Sequence, residues 1–401
     1  MTEFGAEVRR DPPPDLDVPG DPALIARIRA EIEAHGPMTF ARFMELALYE
    51  PELGYYRTPS LRPGRTGDFL TAPESHPIFG RMVSRQLDEV WRVLDRPDPF
   101  VVREHGAGGG ALAEAIVGGL AAERSALLDA VRYQPVEIDD RRFAAVAERV
   151  AGSGFPGIVE APRRGAVVGA VVANEVLDAL PVHRFIWRGG RLREVYVAID
   201  GDRFVDHVDE PSTPDLAARL TSEGVELAEG QRGEISLALD GWIANAGAEL
   251  DRGLVLLVDY GHPAAELYGA RRANGTLMGY LRHRARDDPY ASVGRQDLTA
   301  HVDITAATRA AIRAGLSVVG STKQAEFLVG LGIGDVLAEV QRDPGTTMDD
   351  YLPLRSAVMR LLDPGITGGF RVLGFGRGLP TGVQLRGFSY RLERPGARPG
   401  P

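Results

Sequence analysis

The stretch from Phe100 to Leu112, FVVREHGAGGGAL, constrains the fold of this chain more than any other. An apolar run ends at Glu104, breaks into Gly106, Gly108, Gly109 and Gly110, and passes into the helix-compatible ALAEAIV. This is the sequence form of a β-strand, a tight turn and a helix N-terminus. Glycine reaches positive φ without steric cost and lets backbone N–H groups approach a ligand, while a helix N-terminus favours electron-rich groups. The stretch therefore predicts a nucleotide-type cofactor site on an α/β sheet.

The surrounding pattern agrees. After the turn come a helix (ALAEAIVGGLAAE), a strand (VRYQPVEI), a helix (DRRFAAVAERV) and the apolar run GAVVGAVVANEV, followed further on by the buried strand GLVLLVDYG. Helices and strands then alternate through ITAATRAAIRAG, LSVVGSTKQ, AEFLVGLGIGDVLAEV and FRVLGFGRG, which ends the sheet. Such alternation predicts a parallel sheet with crossover helices. Pro135, without an N–H, weakens its strand or turns the pairing away from that side.

Around this core, which spans about 100–390, other regions separate by composition. Residues 1–20 are rich in proline and acid and read as a disordered arm, and 391–401 as a disordered tail. Residues 21–99 read as a helical layer, with Asp21 as N-cap and Pro22 in the first turn, interrupted by the Gly- and Pro-rich loop PELGYYRTPSLRPGRTGDFLTAPESHP. A loop of that length in a compact domain is often functional. Two insertions are expected in the core. One, at about 182–240, carries turn signals at Gly189-Gly190 and Asp200-Gly201 that suggest a β-meander, followed by a helix; the other, at about 262–302, lies on the substrate side.

Composition narrows the function. The absence of cysteine removes disulfides, thiolate metal sites and a cysteine nucleophile. A net charge of −10 argues against general nucleic-acid binding, which needs a basic field. No apolar run approaches the ~18 to 20 residues that cross a bilayer, so membrane insertion is not expected. The N-terminus has no apolar stretch behind its charges and reads as neither signal nor transit peptide, which predicts a cytoplasmic protein.

Taken alone, the glycine turn does not select a cofactor. Gly106, Gly108 and Ala111 satisfy the dinucleotide pattern G-x-G-x-x-G/A, and Gly106, Gly108 and Gly110 the G-x-G-x-G form of methyltransferases that use S-adenosyl-L-methionine (SAM). Glu104, just before the turn, could meet a cationic methionyl amino group but would repel a pyrophosphate, which favours SAM. Glu137, at the end of the next strand, can accept hydrogen bonds from ribose hydroxyls. The bland alternatives are a turn without a ligand and two solvated strand-end charges.

Asn174-Glu175-Val176-Leu177-Asp178-Ala179-Leu180-Pro181 follows VVGAVV at the carboxyl end of a strand, where ligands sit in open α/β sheets. If the chain is helical here, Glu175 and Asp178 share a face and together suit a cationic substrate. Asp259, at the end of LVLLVDYG, is a third candidate carboxylate. The alternative is that Asn174 or Asp178 merely caps a helix. Tyr260, directly after Asp259, and His283, Gln296, Asp297 and His301 in the second insertion are candidates for substrate binding. A hydrogen-bonded structural role competes for His301, and no metal ligand set is evident. Tyr55, Tyr56, Tyr260 and Tyr280 could line a cleft, although buried aromatics are usually core.

Asn174-Glu175 followed by LDALPVH resembles the signature of the MidA-like methyltransferases, the family of the mitochondrial complex I assembly-factor methyltransferase. GPMTFARFMELALYEPELGYY, GDFLTAPESHPIFG, the glycine turn, VDYGH, NGTLMGYLRH and GRQDLTAHVDIT resemble that family's blocks in order, over about 36–330. The resemblance implies a seven-stranded Rossmann-like sheet with a helical N-terminal layer and two insertions. It implies SAM as cofactor, with Gly106, Gly108 and Gly110 at the methionyl and ribose region and Glu137 on the ribose. Asp68, Phe69 and Thr71 would close over the cofactor, and Asn174 and Glu175 would lie between cofactor and acceptor. The implied acceptor is a protein arginine in a subunit related to respiratory complex I. His105 and Gly109 depart from the family's glycine block, where an apolar and a polar residue are expected.

A guanidinium acceptor stays protonated at neutral pH, so carboxylates must bind it and accept a proton as its bond to carbon forms. Glu175 and Asp178 suit this task, with Asp259 in reserve. Competing expectations are a SAM-dependent enzyme with a small-molecule acceptor, a SAM-binding assembly factor with little or no catalysis, and a nicotinamide dehydrogenase. A homo-oligomer is compatible with the sequence.

Overall fold

The computed structural model describes residues 18–57, 76–282 and 284–391 of the chain. Its N-terminal layer consists of helix α1 (Pro22–His35), the short strand β1 (Met38–Thr39), α2 (Phe40–Tyr49) and α3 (Ile78–Val93). Asp21 accepts hydrogen bonds from the backbone of Ala23 and Leu24, as its N-cap assignment predicts, and the buried side of α1 is Leu24, Ile28 and Ile32. Thr39 caps α2 in the same way by accepting from Arg42 N.

The core runs through β2 (Phe100–His105), α4 (Ala111–Ala122), α5 (Leu127–Ala130), β3 (Val131–Val136), α6 (Asp140–Gly152) and β4 (Val167–Asn174). The first insertion is β5 (His183–Arg188), β6 (Arg191–Asp200), β7 (Arg203–Asp209), α7 (Asp215–Glu223) and β8 (Arg232–Ile235). Helix α8 (Ala238–Ala248) and β9 (Leu250–Asp259) return to the core. The second insertion holds β10 (Gly261–His262), α9 (Ala264–Leu267), β11 (Met278–Leu281), β12 (Arg284–Arg286), β13 (Asp297–Thr299) and β14 (Val302–Asp303). The chain ends with α10 (Ile304–Arg313), β15 (Ser317–Lys323), α11 (Gln324–Gly330), α12 (Ile333–Arg342), α13 (Met348–Leu362) and β16 (Arg371–Arg377).

The central sheet has the order β15-β16-β9-β4-β2-β3. Strands β9, β4, β2 and β3 are parallel, whereas β16 inserts antiparallel between β15 and β9. Two expectations change here. The last strand does not end the sheet but lies inside it, so the sheet is mixed. Among the described residues the sheet has six strands, and beyond β3 the place of a seventh is taken by a single parallel bridge from Tyr133 to Val159. Pro156, Gly157 and Pro162 flank that bridge and shorten any strand there. Tyr133 N points outward to Ile158 O, so two residues on Pro135 also faces outward, where its missing N–H breaks no ladder.

Strands β5, β6 and β7 pair antiparallel in chain order. Gly189 and Gly190 turn between the paired Arg188 and Arg191, and Gly201 lies in the turn between Asp200 and Arg203. Strand β1 of the helical layer pairs with β6, which ties this sheet to the N-terminal region. Below it, Phe40, Phe43 and Met44 of α2 pack in one cluster with Ala179, Val182, Val197, Leu298 and Ala300. Helices α1 and α2 thus share a core with both insertions, whereas α3 packs into the core of the sheet through Phe79, Met82, Val83 and Leu87, beside Val102, Leu112 and Ile116. Among the described residues no helix is long and apolar enough to cross a membrane.

Candidate active site

Strand β2 lies between β3 and β4, so its end delivers Glu104 and His105 to the centre of the sheet's carboxyl edge. Gly106, Gly108 and Gly110 all have positive φ, at 70°, 56° and 79°. Here glycine is required twice over. A Cβ on Gly106 would lie 2.7 Å from Val176 Cγ2, and one on Gly110 would crowd Val146 from 3.1 Å. Gly108 N donates to Glu137 Oε1, which fixes the turn against the end of β3.

The turn opens on a cavity of about 390 Å³. Its wall includes Glu104, Gly106, Gly108, Glu137 and Asn174 from the turn and the strand ends, and Glu175, Asp178, Tyr260, Asp297 and Thr299, with Tyr49, Tyr56, Leu180 and Trp242. Glu104 is buried and accepts a 2.6 Å hydrogen bond from the Tyr133 hydroxyl. Burial pushes its carboxyl up to about 8; the Tyr133 bond opposes this, and the Glu137 charge adds to it. A cationic amino group would supply the charge that this acid lacks. Asn174 Oδ1 is buried with no hydrogen-bond partner among the described residues, while its Nδ2 donates to Glu175 Oε1 at 3.0 Å. A buried acceptor of this kind calls for a ligand donor. The wall thus fits an aminoacyl nucleoside such as SAM: Glu104 for the ammonium, Glu137 for the ribose, and the bare turn for close approach.

Strand β4 stops at Asn174, and Glu175 then takes φ 53°, a left-handed conformation strained for any residue but glycine. It is held there by Glu175 N donating to Val258 O at 2.8 Å. The next three N–H groups, of Val176, Leu177 and Asp178, all donate to Asp259 Oδ2 at 3.2, 2.8 and 3.3 Å, and Tyr260 N donates to Oδ1 at 2.9 Å. Asp259 therefore does not take the catalytic place expected from its strand end. It is buried and absent from the cavity wall, and its oxygens are spent on anchoring the loop that presents Glu175 and Asp178.

Asp178 is buried, and it shares the cavity wall with Tyr260 and Thr299. Burial pushes Asp178 up to about 6, against the pull of Tyr260 and of backbone N–H groups. Asp259 is raised too, by burial and then by the charges of Asp178 and Glu175.

Other expected residues divide. Asp297 lies on the wall and accepts from the Tyr56 hydroxyl at 2.8 Å. Gln296 does not line the cavity; its amide donates to the carbonyls of Asp288 and Pro289 and holds the insertion together. His301 is likewise behind the wall, its ring 5.3 Å from those of Tyr260 and His262. Burial, with His262 and Arg272 nearby, lowers it to about 4, so it is neutral and supports Tyr260 by packing. Gly110 turns the chain into α4 without reaching the cavity. Asp68, Phe69, Thr71 and His283 lie outside the described residues.

Sequence reasoning passed over Tyr49, Arg142 and Trp242. Tyr49 ends an ordinary amphipathic helix, and its hydroxyl donates to Ala179 O at 2.9 Å. Arg142 Nη1 is 3.4 Å from Glu137, and its Nη2 donates to Tyr56 O at 2.8 Å. Trp242 packs edge-on against His105, whose Nε2 meets Glu249 at 2.9 Å. None of the three carries a local pattern that distinguishes it from a core or surface position.

Known proteins resemble this chain over most of its length. A family model described as an S-adenosyl-L-methionine-dependent methyltransferase matches residues 82–322. A crystal structure from Burkholderia thailandensis bound to S-adenosyl-homocysteine superposes with a TM-score of 0.84, at 35% identity, over 92% of this chain and 94% of that one. The human mitochondrial protein arginine methyltransferase NDUFAF7 is 29% identical over 80% of this chain and 75% of its own length. Its Drosophila melanogaster homolog is 28% identical over 77% and 75%. These two relatives are named as mitochondrial, so they lend no support to a cytoplasmic location.

Proposed function

The chain belongs to this family of SAM-dependent methyltransferases, and from that premise we propose that its methyl acceptor is the guanidinium of a protein arginine. The carrying observation is the anionic acceptor side of the cavity, where Glu175, Asp178 and Asp297 stand among Tyr49, Tyr56 and Tyr260. A planar cation with several donors matches such a wall, because carboxylates and hydroxyls accept while a guanidinium only donates. The names of the relatives agree with this reading.

When bound, SAM supplies an electrophilic methyl group. The chain's own residues do the rest. Glu175, with Oε1 held by Asn174 Nδ2, orients the guanidinium. Asp178, raised to about 6, is mostly ionised at neutral pH and a stronger base than an ordinary carboxylate, so it accepts the proton released as nitrogen bonds to carbon. The Tyr260 hydroxyl beside Asp178 favours its ionised form. Tyr49, Tyr56, Leu180 and Trp242 exclude water, which favours alignment over hydration in a displacement that disperses positive charge. By the same family resemblance, a subunit related to respiratory complex I is the natural first acceptor to try.

The test is transfer of a labelled methyl group from SAM to cell lysate, followed by acid hydrolysis of the protein fraction. Label in methylarginine is expected; label confined to small molecules would favour a biosynthetic acceptor, and no label at all an assembly factor. Glu175→Gln should abolish the signal while S-adenosyl-homocysteine still shifts the melting temperature. Unchanged methylation by that variant would remove Glu175 from the mechanism.

A further inference from the structure

We propose that the outward face of α13 is a self-association surface, on which two copies of this chain pair antiparallel about a two-fold axis close to Pro353. Helix α13 has two apolar stripes. Leu354, Ala357, Val358 and Leu361 face the core. On the other side Met348, Leu352 and Met359 are 63%, 49% and 59% exposed, and Ile366, just beyond the helix, is 51% exposed. Four of the eight large hydrophobic side chains that are exposed among the described residues therefore lie on this one element and its exit. Scattered exposed apolar residues are ordinary, but a concentrated patch marks an association site.

The charges on the same helix identify the partner. Asp349 and Asp350 lie in its first turn, and Arg355 and Arg360 in its second half. Asp349, Arg355 and Arg360 have no ion-pair partner among the described residues. Signs sorted along a helix, with apolar residues between them, are self-complementary only when a second copy runs the opposite way. Such a pairing sets Met348 against Met359 of the other copy and Leu352 against the aliphatic stem of Arg355. It also brings Asp349 beside Arg360 of the other copy, and opposes the two helix dipoles. A two-fold axis makes the contact closed, each copy giving and receiving the same residues. Leu352 and Arg355 of the two copies sit nearest the crossing, where helix axes approach to about 8–10 Å.

The test uses the full chain in light scattering coupled to size exclusion, over a range of concentrations. A single copy is 43.3 kDa, so the wild type should run at twice that mass. Leu352→Asp should halve it while S-adenosyl-homocysteine still raises the melting temperature, which shows that the fold is intact. Charge reversal gives a second, independent measure. Asp349→Arg alone and Arg360→Asp alone should each weaken the dimer, and mixing the two variants should restore it as a heterodimer, since each reversed charge then meets its opposite. A wild type that stays at 43.3 kDa at every concentration, a dimer that survives Leu352→Asp, or a mixture that fails to re-form would overturn the proposal.

Discussion

The Tyr56 hydroxyl donates to Asp297 Oδ1 across 2.8 Å and so fastens the N-terminal helical layer to the second insertion at the acceptor end of the cavity. The backbone of the same tyrosine takes a 2.8 Å hydrogen bond from Arg142, which stands 3.4 Å from Glu137 on the cofactor side. One residue thus connects the carboxylate proposed for the ribose with a carboxylate proposed for the acceptor. The tie also explains why Asp297 points into the cavity rather than toward solvent.

Tyr56→Phe keeps the ring and the Arg142 contact and removes only the bond to Asp297. A hydrogen bond to a charged group contributes about 1.5–3 kcal/mol, so kcat/KM for the acceptor should fall about tenfold or more. The dissociation constant of S-adenosyl-homocysteine should stay within a factor of about two, because nothing on the cofactor side changes. Equal losses in both measurements would mean that Tyr56 supports the cavity as a whole.

Glu104 gives a pH dependence with a definite sign. Its folded-state carboxyl is raised to about 8 from an ordinary 4.5, chiefly by burial. For an acid raised in this way, the stabilising contribution is complete below pH 4.5 and is lost as pH rises toward 8. The ligand-free protein should therefore lose stability across that window, and Glu104→Gln should flatten the loss in melting temperature. Cofactor binding should show the opposite trend, tightening as pH rises toward 8, because the ammonium group prefers the ionised carboxyl. Calorimetry with S-adenosyl-homocysteine should record proton release near neutral pH, and Glu104→Gln should remove it while weakening affinity. An affinity that is flat with pH in the wild type would detach Glu104 from the amino group.

The parts of this site that a sequence can show are those encoded by neighbours in the chain. The glycine turn, the Asn174-Glu175 strand end and the two turns of the meander all rest on local φ requirements or on a change of period, and each stands where it was expected. Asp259 shows the limit. Its strand-end position resembles that of Glu175, and only the return of β9 beside β4, 82 residues after Leu177, converts it into an acceptor for that loop's backbone. Tyr56 and Asp297 meet over a separation of 241 residues, through packing of apolar surfaces that carries no pairwise signature. The sheet behaved likewise: alternation announced its strands, but the antiparallel entry of β16 and the reduction of the outermost strand to a bridge depend on which edges remain to be filled.

The strained backbone of Glu175 can be separated from its chemistry by two substitutions at one position. Glu175→Ala and Glu175→Gly remove the same carboxylate, so both should abolish methyl transfer, and both lose the bond from Asn174 Nδ2. They differ only in the residue asked to hold φ 53°. An alanine there bears the left-handed steric cost of about 1–2 kcal/mol, while glycine bears almost none, although its freer unfolded chain returns about 0.4–1 kcal/mol of that difference. The net expectation is that Glu175→Gly is more stable than Glu175→Ala by up to about 1.6 kcal/mol in denaturant unfolding. The ordering follows from the loop geometry: Asp259 holds the three N–H groups after position 175, and Val258 O holds the N–H of position 175 itself, so the backbone cannot relax out of the left-handed region when the side chain is changed. If the alanine variant proves the more stable, the loop is free to relax, and the positive φ is not imposed by its anchors.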